Sequence, residues 1–245
     1  MPALAKAKEK ARRTQCLSNI HQIEVALNIY ASQYNDKVPV WIGGHTAWDL
    51  PDTAAQPMLR AGLTKKTFYC PGLAPRFTDL QDWVGPNPSG QTTGAASTLW
   101  DYGDAVAPPE GPYHVVGYLF AFNGGTLIAT NQNKTLQPES YNDSLLGTTV
   151  TYGVSDRVLM ADVTVSPAGS VATPGYLHPE NNYNNIHGGF QWGGVGDAYT
   201  LYHTSAHLNG AIPAGGFIGY KDGHADWRLF QEMVIRNTQT YTFWW

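Results

Sequence analysis

Residues 2–34 constrain the fold more than any other stretch of the chain. Leu4, Ala7, Ala11, Thr14, Leu17, Ile20, Ile23, Leu27, Tyr30 and Tyr34 recur at steps of three or four, the spacing that lines up side chains on one face of an α-helix. The stripe predicts a single helix over 2–34. Its second half is apolar enough to lie on a sheet. Its first half carries Ala and Lys, so it packs more weakly and either projects or meets like helices. Asn35-Asp36-Lys37-Val38-Pro39 ends the helix, because proline brings no N–H to the helical ladder.

Charge divides along the same line. Residues 1–13 hold five of the fifteen Lys and Arg against one acid, which leaves the rest of the chain at −8 where the whole is −4. An acidic body is a poor partner for nucleic acid, since phosphate contacts need clustered cations. Charged residues make up only 14% of the sequence, while 26 Gly, 14 Tyr and 8 Trp favour turns and strands over a helical bundle. Strand signals fall at 114–122, 148–154, 156–163, 215–221, 224–230 and 238–245. Asp222-Gly223 between two alternating runs predicts a hairpin with a two-residue turn, both residues at positive φ. Residues 40–112 are dense in Pro and Gly, with "AAQPMLRAGL" (54–63) as helical turns. The reading is α+β: one domain over 1–245, with a helix at 1–36, a loop-rich insertion at 37–112 and a β-rich body at 113–245 that ends in a hairpin.

The common catalytic signatures are absent from the sequence: it has no Gly-x-Ser-x-Gly elbow, no His-Glu-x-x-His helix, no phosphate-binding loop and no dinucleotide fingerprint. Cys16 and Cys70 stand too far apart for a Cys-x-x-Cys zinc or redox motif. Their even number is compatible with one disulfide in an oxidising compartment. The chemistry-bearing residues that remain are Asp162, His178, His187, His203, His207, Asp222, His224 and Asp226. His207 and Asp222 approach one another if their strands pair. Asp222, Asn209 and backbone carbonyls are weak candidates for Ca²⁺, which takes oxygen ligands from loops; otherwise no cofactor is expected. Asp222 read simply as a turn residue, and His207 as a loop residue, is the plainer alternative. Asp79, Asp82, Asp101 and Asp104 read as solvated turn aspartates. Trp41, Trp48, Trp83, Trp100, Trp192, Trp227, Trp244 and Trp245 either stack on sugars or pack a core and interfaces.

Two stretches together carry a resemblance. "PALAKAKEKARRTQCLSNIHQIEVALNIYASQYNDKVP" resembles the region just after the membrane-spanning part of type IV prepilin-like and type II secretion pseudopilin-like proteins. The matching residues are Pro2-Ala3-Leu4, Lys6 to Arg13, Cys16, Asn19, Gln22, Tyr30, Asp36 and Pro39. "FYCPG" (68–72) is similar to a Phe-x-Cys-Pro segment of the same proteins. "GGFIGYKDGHADW" (215–227) is similar to the hairpin of the prepilin-type processing-associated domain, which is marked by a His and a following Asp-Gly. His207, Asp222 and Gly223 match that motif, with a longer His-to-Asp spacing here.

The resemblance implies a pilin-like fold, a long N-terminal helix packed on an antiparallel sheet with large loop insertions. It implies a Cys16–Cys70 disulfide. It also implies an apolar membrane-inserted segment ahead of residue 1, which would make the cationic stretch the part that leaves the membrane. The function it implies is that of an exported structural subunit, anchored at the inner membrane or on the cell surface and without a catalytic centre. Such a subunit partners with copies of itself or with other pilin-like subunits in a fibre or secretion apparatus. Two alternatives stand beside it. One is a surface carbohydrate-binding or adhesive module presenting the loops of 40–112 and 164–215 to polysaccharide. The other is a metal-dependent hydrolase that uses the C-terminal His/Asp set.

Overall fold

The computed structural model describes residues 2–42, 46–74, 77–79, 82–83, 97–101, 103, 111–125, 132–143, 148–167, 169–170, 178, 181–184, 186–187, 202–236 and 241–245. Asp104 and Trp192 of the sequence reading lie outside them, as do the side chains of Asp82, Trp83 and His187.

The chain is α+β. Helix α1 spans Pro2–Gln33, within a residue of the stripe. Cys16, Ile20, Ile23, Ala26, Leu27 and Ala31 are buried, whereas Ala3 through Lys8 are all exposed. The first two turns are therefore exposed, while Glu9 and Arg13 already touch the body at His207 and Trp227. The helix ends on two left-handed residues, Asn35 (φ 54°) and Asp36 (φ 60°). The Asp36 N–H folds back to donate to the Ala31 carbonyl at 2.9 Å, satisfying one of the orphan acceptors of a helix end. Helix α2 covers Asp52–Arg60, where helical turns are expected.

The central sheet has four strands: β1 (Tyr118–Phe120), β2 (Val158–Asp162), β3 (Gly215–Tyr220) and β4 (Ala225–Leu229). They lie in the order β4-β3-β2-β1, every neighbour antiparallel. Directly paired residues share a face of a sheet. The register pairs Tyr118 with Asp162 and Phe217 with Trp227, and the Phe217 N–H bonds Asp162. Tyr118, Asp162, Phe217 and Trp227 thus form a row across the sheet. This row meets α1: the Arg13 guanidinium lies 3.8 Å over the Trp227 ring, and Cys16 contacts both Tyr118 and Asp162. At the other end of the chain, Tyr241–Phe243 pairs with Val165–Pro167 and tucks Trp244 and Trp245 into the interior.

The β3–β4 hairpin joins the strands the alternation selects, but its turn differs from the expected one. Only Gly223 has positive φ (87°). Its N–H donates to the Tyr220 carbonyl at 3.1 Å, and the Tyr220 N–H donates to the His224 carbonyl at 2.9 Å. The loop is therefore three residues, Lys221-Asp222-Gly223. Asp222 stays at negative φ, and glycine takes the left-handed position that closes a three-residue hairpin.

Candidate functional site

Four side chains converge where α1 crosses the sheet: Cys16, Cys70, Asp162 and His207. One donor atom from each lies within 4.8 Å of all the others, and each residue is 2% exposed or less. They come from four separate parts of the chain. Cys16 projects from the buried face of α1, one turn before Ile20. Asp162 closes β2 in the Tyr118–Phe217 row.

Cys70 caps a short 3₁₀ turn, Pro71–Leu73. Its carbonyl accepts from the Leu73 N–H at 3.0 Å and its sulfur from the Gly72 N–H at 3.3 Å. His207 sits in a left-handed conformation (φ 51°) just before a small hairpin, which its carbonyl closes by accepting from the Ala214 N–H at 2.9 Å. Gly72 is where this turn meets His207: a Cβ there would stand 2.8 Å from the imidazole and 2.9 Å from the His207 nitrogen. The glycine of "FYCPG" is required by that approach.

The bonds among the four are directional. The Cys16 thiol donates to Asp162 Oδ1 at 2.9 Å, and its sulfur lies 3.3 Å from the Tyr118 hydroxyl. Asp162 Oδ2 accepts from the Phe217 N–H at 2.7 Å. His207 Nε2 faces inward, 3.3 Å from Cys70 Sγ and 3.6 Å from Asp162 Oδ2. His207 Nδ1 faces outward to Glu9 Oε1 at 2.9 Å. Glu9 is itself held by Arg13 Nε at 2.9 Å.

Burial pushes the Cys16 thiol well up, and Cys70 and Asp162 add to the shift. Burial would lower His207, but Cys70, Asp162 and Glu9 outweigh it and raise the imidazole to about 9. Burial would raise Glu9, yet its bonds to Arg13 and His207 hold it below the usual carboxylate range.

Cys16 and Cys70 meet, as the resemblance implies, and in this structure both are free thiols, turned toward Asp162 and His207. Other expectations are corrected. His207 does not approach Asp222. Asp222 sits at the hairpin tip, where its Oδ1 accepts from the His224 N–H at 3.2 Å and contacts the His224 ring. Asp222 and Asn209 do not share one ligand loop, as a calcium site would need: Asn209 belongs to the separate hairpin Leu208–Asn209/Ile212–Pro213.

His203 is a core histidine, its ring tilted against Trp48 and edge-on to Phe77, and lowered to about 3 by burial. His178 is buried beside Trp244. Asp101 pairs with Lys65 and Thr98. Trp41, Trp48, Trp100, Trp244 and Trp245 are all buried, so their rings pack the interior and offer no platform to a sugar. Sequence reasoning missed Glu9 altogether. Its only signal is a single acid at position 9 among the basic residues 6–13, four residues before Arg13.

A family model described as a protein of unknown function (DUF1559) matches residues 5–51. No curated protein and no solved structure matches the chain. No helix among the described residues is long and apolar enough to cross a membrane.

Proposed function

We infer that this chain is a pilin- or pseudopilin-like structural subunit, exported and assembled through α1, with no catalytic role. One observation carries the reading. Along the side of α1 turned away from the sheet, Leu4, Ala11, Ser18, Gln22, Val25 and Ile29 follow one another at steps of three, four and seven, and all are exposed. Leu4 is 71% exposed, Val25 60% and Ile29 42%. Small or apolar residues at five of these six positions, all but Gln22, form a seam that fits a second helix, and a groove bounded by Leu17, Val25 and Leu63 continues it.

The partner is another copy of the same helix. The family match over 5–51 covers the stretch that resembles prepilin-like N-termini and supports this choice. A helix of 32 residues is about 48 Å long at 1.5 Å per residue, and its free first turns add to the surface a neighbour can cover.

The test fuses an apolar membrane-spanning segment ahead of Pro2 and follows assembly by crosslinking and electron microscopy. We expect oligomers or fibres from the parent chain. Val25→Asp with Ile29→Asp should abolish them while changing stability by less than about 0.5 kcal/mol per site, the usual range for exposed positions. Assembly that survives the double substitution overturns the reading.

A further inference from the structure

We propose that Cys16, Cys70, Asp162 and His207 hold a structural zinc ion, with Glu9 orienting the histidine. The donor set is two sulfurs, one imidazole nitrogen and one carboxylate oxygen. That combination suits zinc and excludes calcium or magnesium, which take oxygen. Zinc ligands at about 2.0–2.3 Å in a tetrahedron stand about 3.3–3.8 Å from one another. The Cys70 Sγ–His207 Nε2 and His207 Nε2–Asp162 Oδ2 separations, 3.3 Å and 3.6 Å, already fall in that range. The hydrogen-bonded Cys16 Sγ–Asp162 Oδ1 contact, at 2.9 Å, would open, and all four donor atoms already lie within 4.8 Å of one another.

The surrounding groups supply the second argument. A zinc-bound histidine ordinarily gives its outer N–H to a carboxylate, which fixes the tautomer and aims the inner nitrogen at the metal. Glu9 does this to His207 Nδ1 at 2.9 Å. The other ligands are held as well: the Gly72 N–H points at Cys70 Sγ, the Phe217 N–H at Asp162 Oδ2, and the Tyr118 hydroxyl lies against Cys16 Sγ. Binding would displace the protons of both thiols and of His207 Nε2 to solvent.

Two other uses of the cluster are weaker. Cys70, His207 and Glu9 stand in the order of nucleophile, base and orienting acid, but the Cys70 sulfur is buried and admits no substrate. A Cys16–Cys70 disulfide would use up both sulfurs and leave the buried Asp162 carboxylate facing only His207 and the Phe217 N–H. All four ligands buried and no open position describe a structural site. The ion would fasten α1 to the sheet and to the Cys-Pro-Gly turn at one point. The inference does not depend on the assembly reading: a chain that binds zinc yet forms no fibres overturns only the latter.

The experiment uses the whole chain, purified under reducing conditions with stoichiometric Zn²⁺ or Co²⁺. Metal content is read by mass spectrometry and geometry by cobalt absorption. We expect stoichiometric zinc, and for cobalt a sulfur-to-metal charge-transfer band with intense tetrahedral visible bands. Cys70→Ser and His207→Gln should lose the metal. Glu9→Gln should keep the stoichiometry but bind zinc about ten- to a hundredfold more weakly. Asp222→Asn should bind as the parent does. A folded, reduced parent chain that takes up neither metal overturns the proposal, and that result stands even where a variant fails to fold. A Cys16–Cys70 disulfide in protein recovered from its natural compartment also overturns it.

Discussion

Two histidine–aspartate pairs in this protein differ in almost every physical respect. His207 and Asp162 have fully buried side chains; His224 and Asp222 are 40% and 32% exposed. The exposed pair is local, two residues apart at a hairpin tip, with His224 stacked on Tyr220. The buried pair joins residues brought together only by the finished fold, and two cysteines and a glutamate complete it. In water, an exposed ion pair contributes little, because solvent competes for both charges. In the interior the same groups are costly unless every one is satisfied. Chemistry therefore concentrates at the pair the sequence does not advertise. Asp-Gly announces a turn, and a turn is what it makes.

Three substitutions break or sharpen this contrast. The largest effect is expected at the buried pair. Asp162→Ala strands the Phe217 N–H and the Cys16 thiol, and should cost about 3 kcal/mol in denaturant unfolding of the metal-free protein. A loss below about 1 kcal/mol would show the carboxylate to be dispensable there. Next comes the hairpin, where the backbone rather than the ion pair is at stake. Gly223 has open space around it but φ of 87°, so Gly223→Val should cost about 1–3 kcal/mol through strain alone. An unchanged thermal midpoint would contradict the left-handed turn.

The last effect, the one that vanishes at low pH, is at Glu24, a buried α1 carboxylate beside His21 whose Oε1 packs against β3 at Gly219. Burial raises it to about 8, and Asp222 at the hairpin adds to the shift. The folded pKa lies above the ordinary value of 4.5, so the fold favours the neutral acid. Its stabilising effect is complete below about pH 4.5 and is lost as pH rises to 8. Glu24→Gln should leave stability nearly unchanged near pH 4.5 and raise it progressively as pH climbs from 4.5 to 8. A gain that is constant with pH would rule out titration of Glu24 as the cause.

Much of the frame was legible in the sequence because it rests on local regularities. The Leu17–Ile20–Ile23–Leu27 spacing marks the buried half of α1, and Asn35 to Pro39 marks its end. Alternation on either side of Asp222-Gly223 marks β3 and β4. The turn type was not legible, since a three-residue loop with one left-handed glycine and a two-residue loop with two left-handed residues share the same Asp-Gly. The centre was legible only in fragments. Cysteine count pairs Cys16 with Cys70, but nothing in either flank shows that their sulfurs point at Asp162 and His207. That follows from the strand register that sets Tyr118 opposite Asp162, and from the left-handed backbone at His207. Asp222 drew attention because Asp and Gly are adjacent in sequence, whereas Glu9 and His207 meet only in space.

The location of the centre on α1 has a mechanical consequence. Cys16 lies at the middle of Pro2–Gln33, with Arg13 on Trp227 just before it and Asn19 Nδ2 donating to the Tyr69 carbonyl at 3.2 Å just after it. The helix is held over the stretch from Glu9 on His207 to Asn19, and its exposed first turns form a lever ahead of it. Tension applied along the axis from the N-terminal end loads the Glu9, Arg13, Cys16 and Asn19 contacts in shear, ahead of Ile23 and Leu27. Bending of the exposed turns is absorbed ahead of that stretch and leaves the sheet undisturbed.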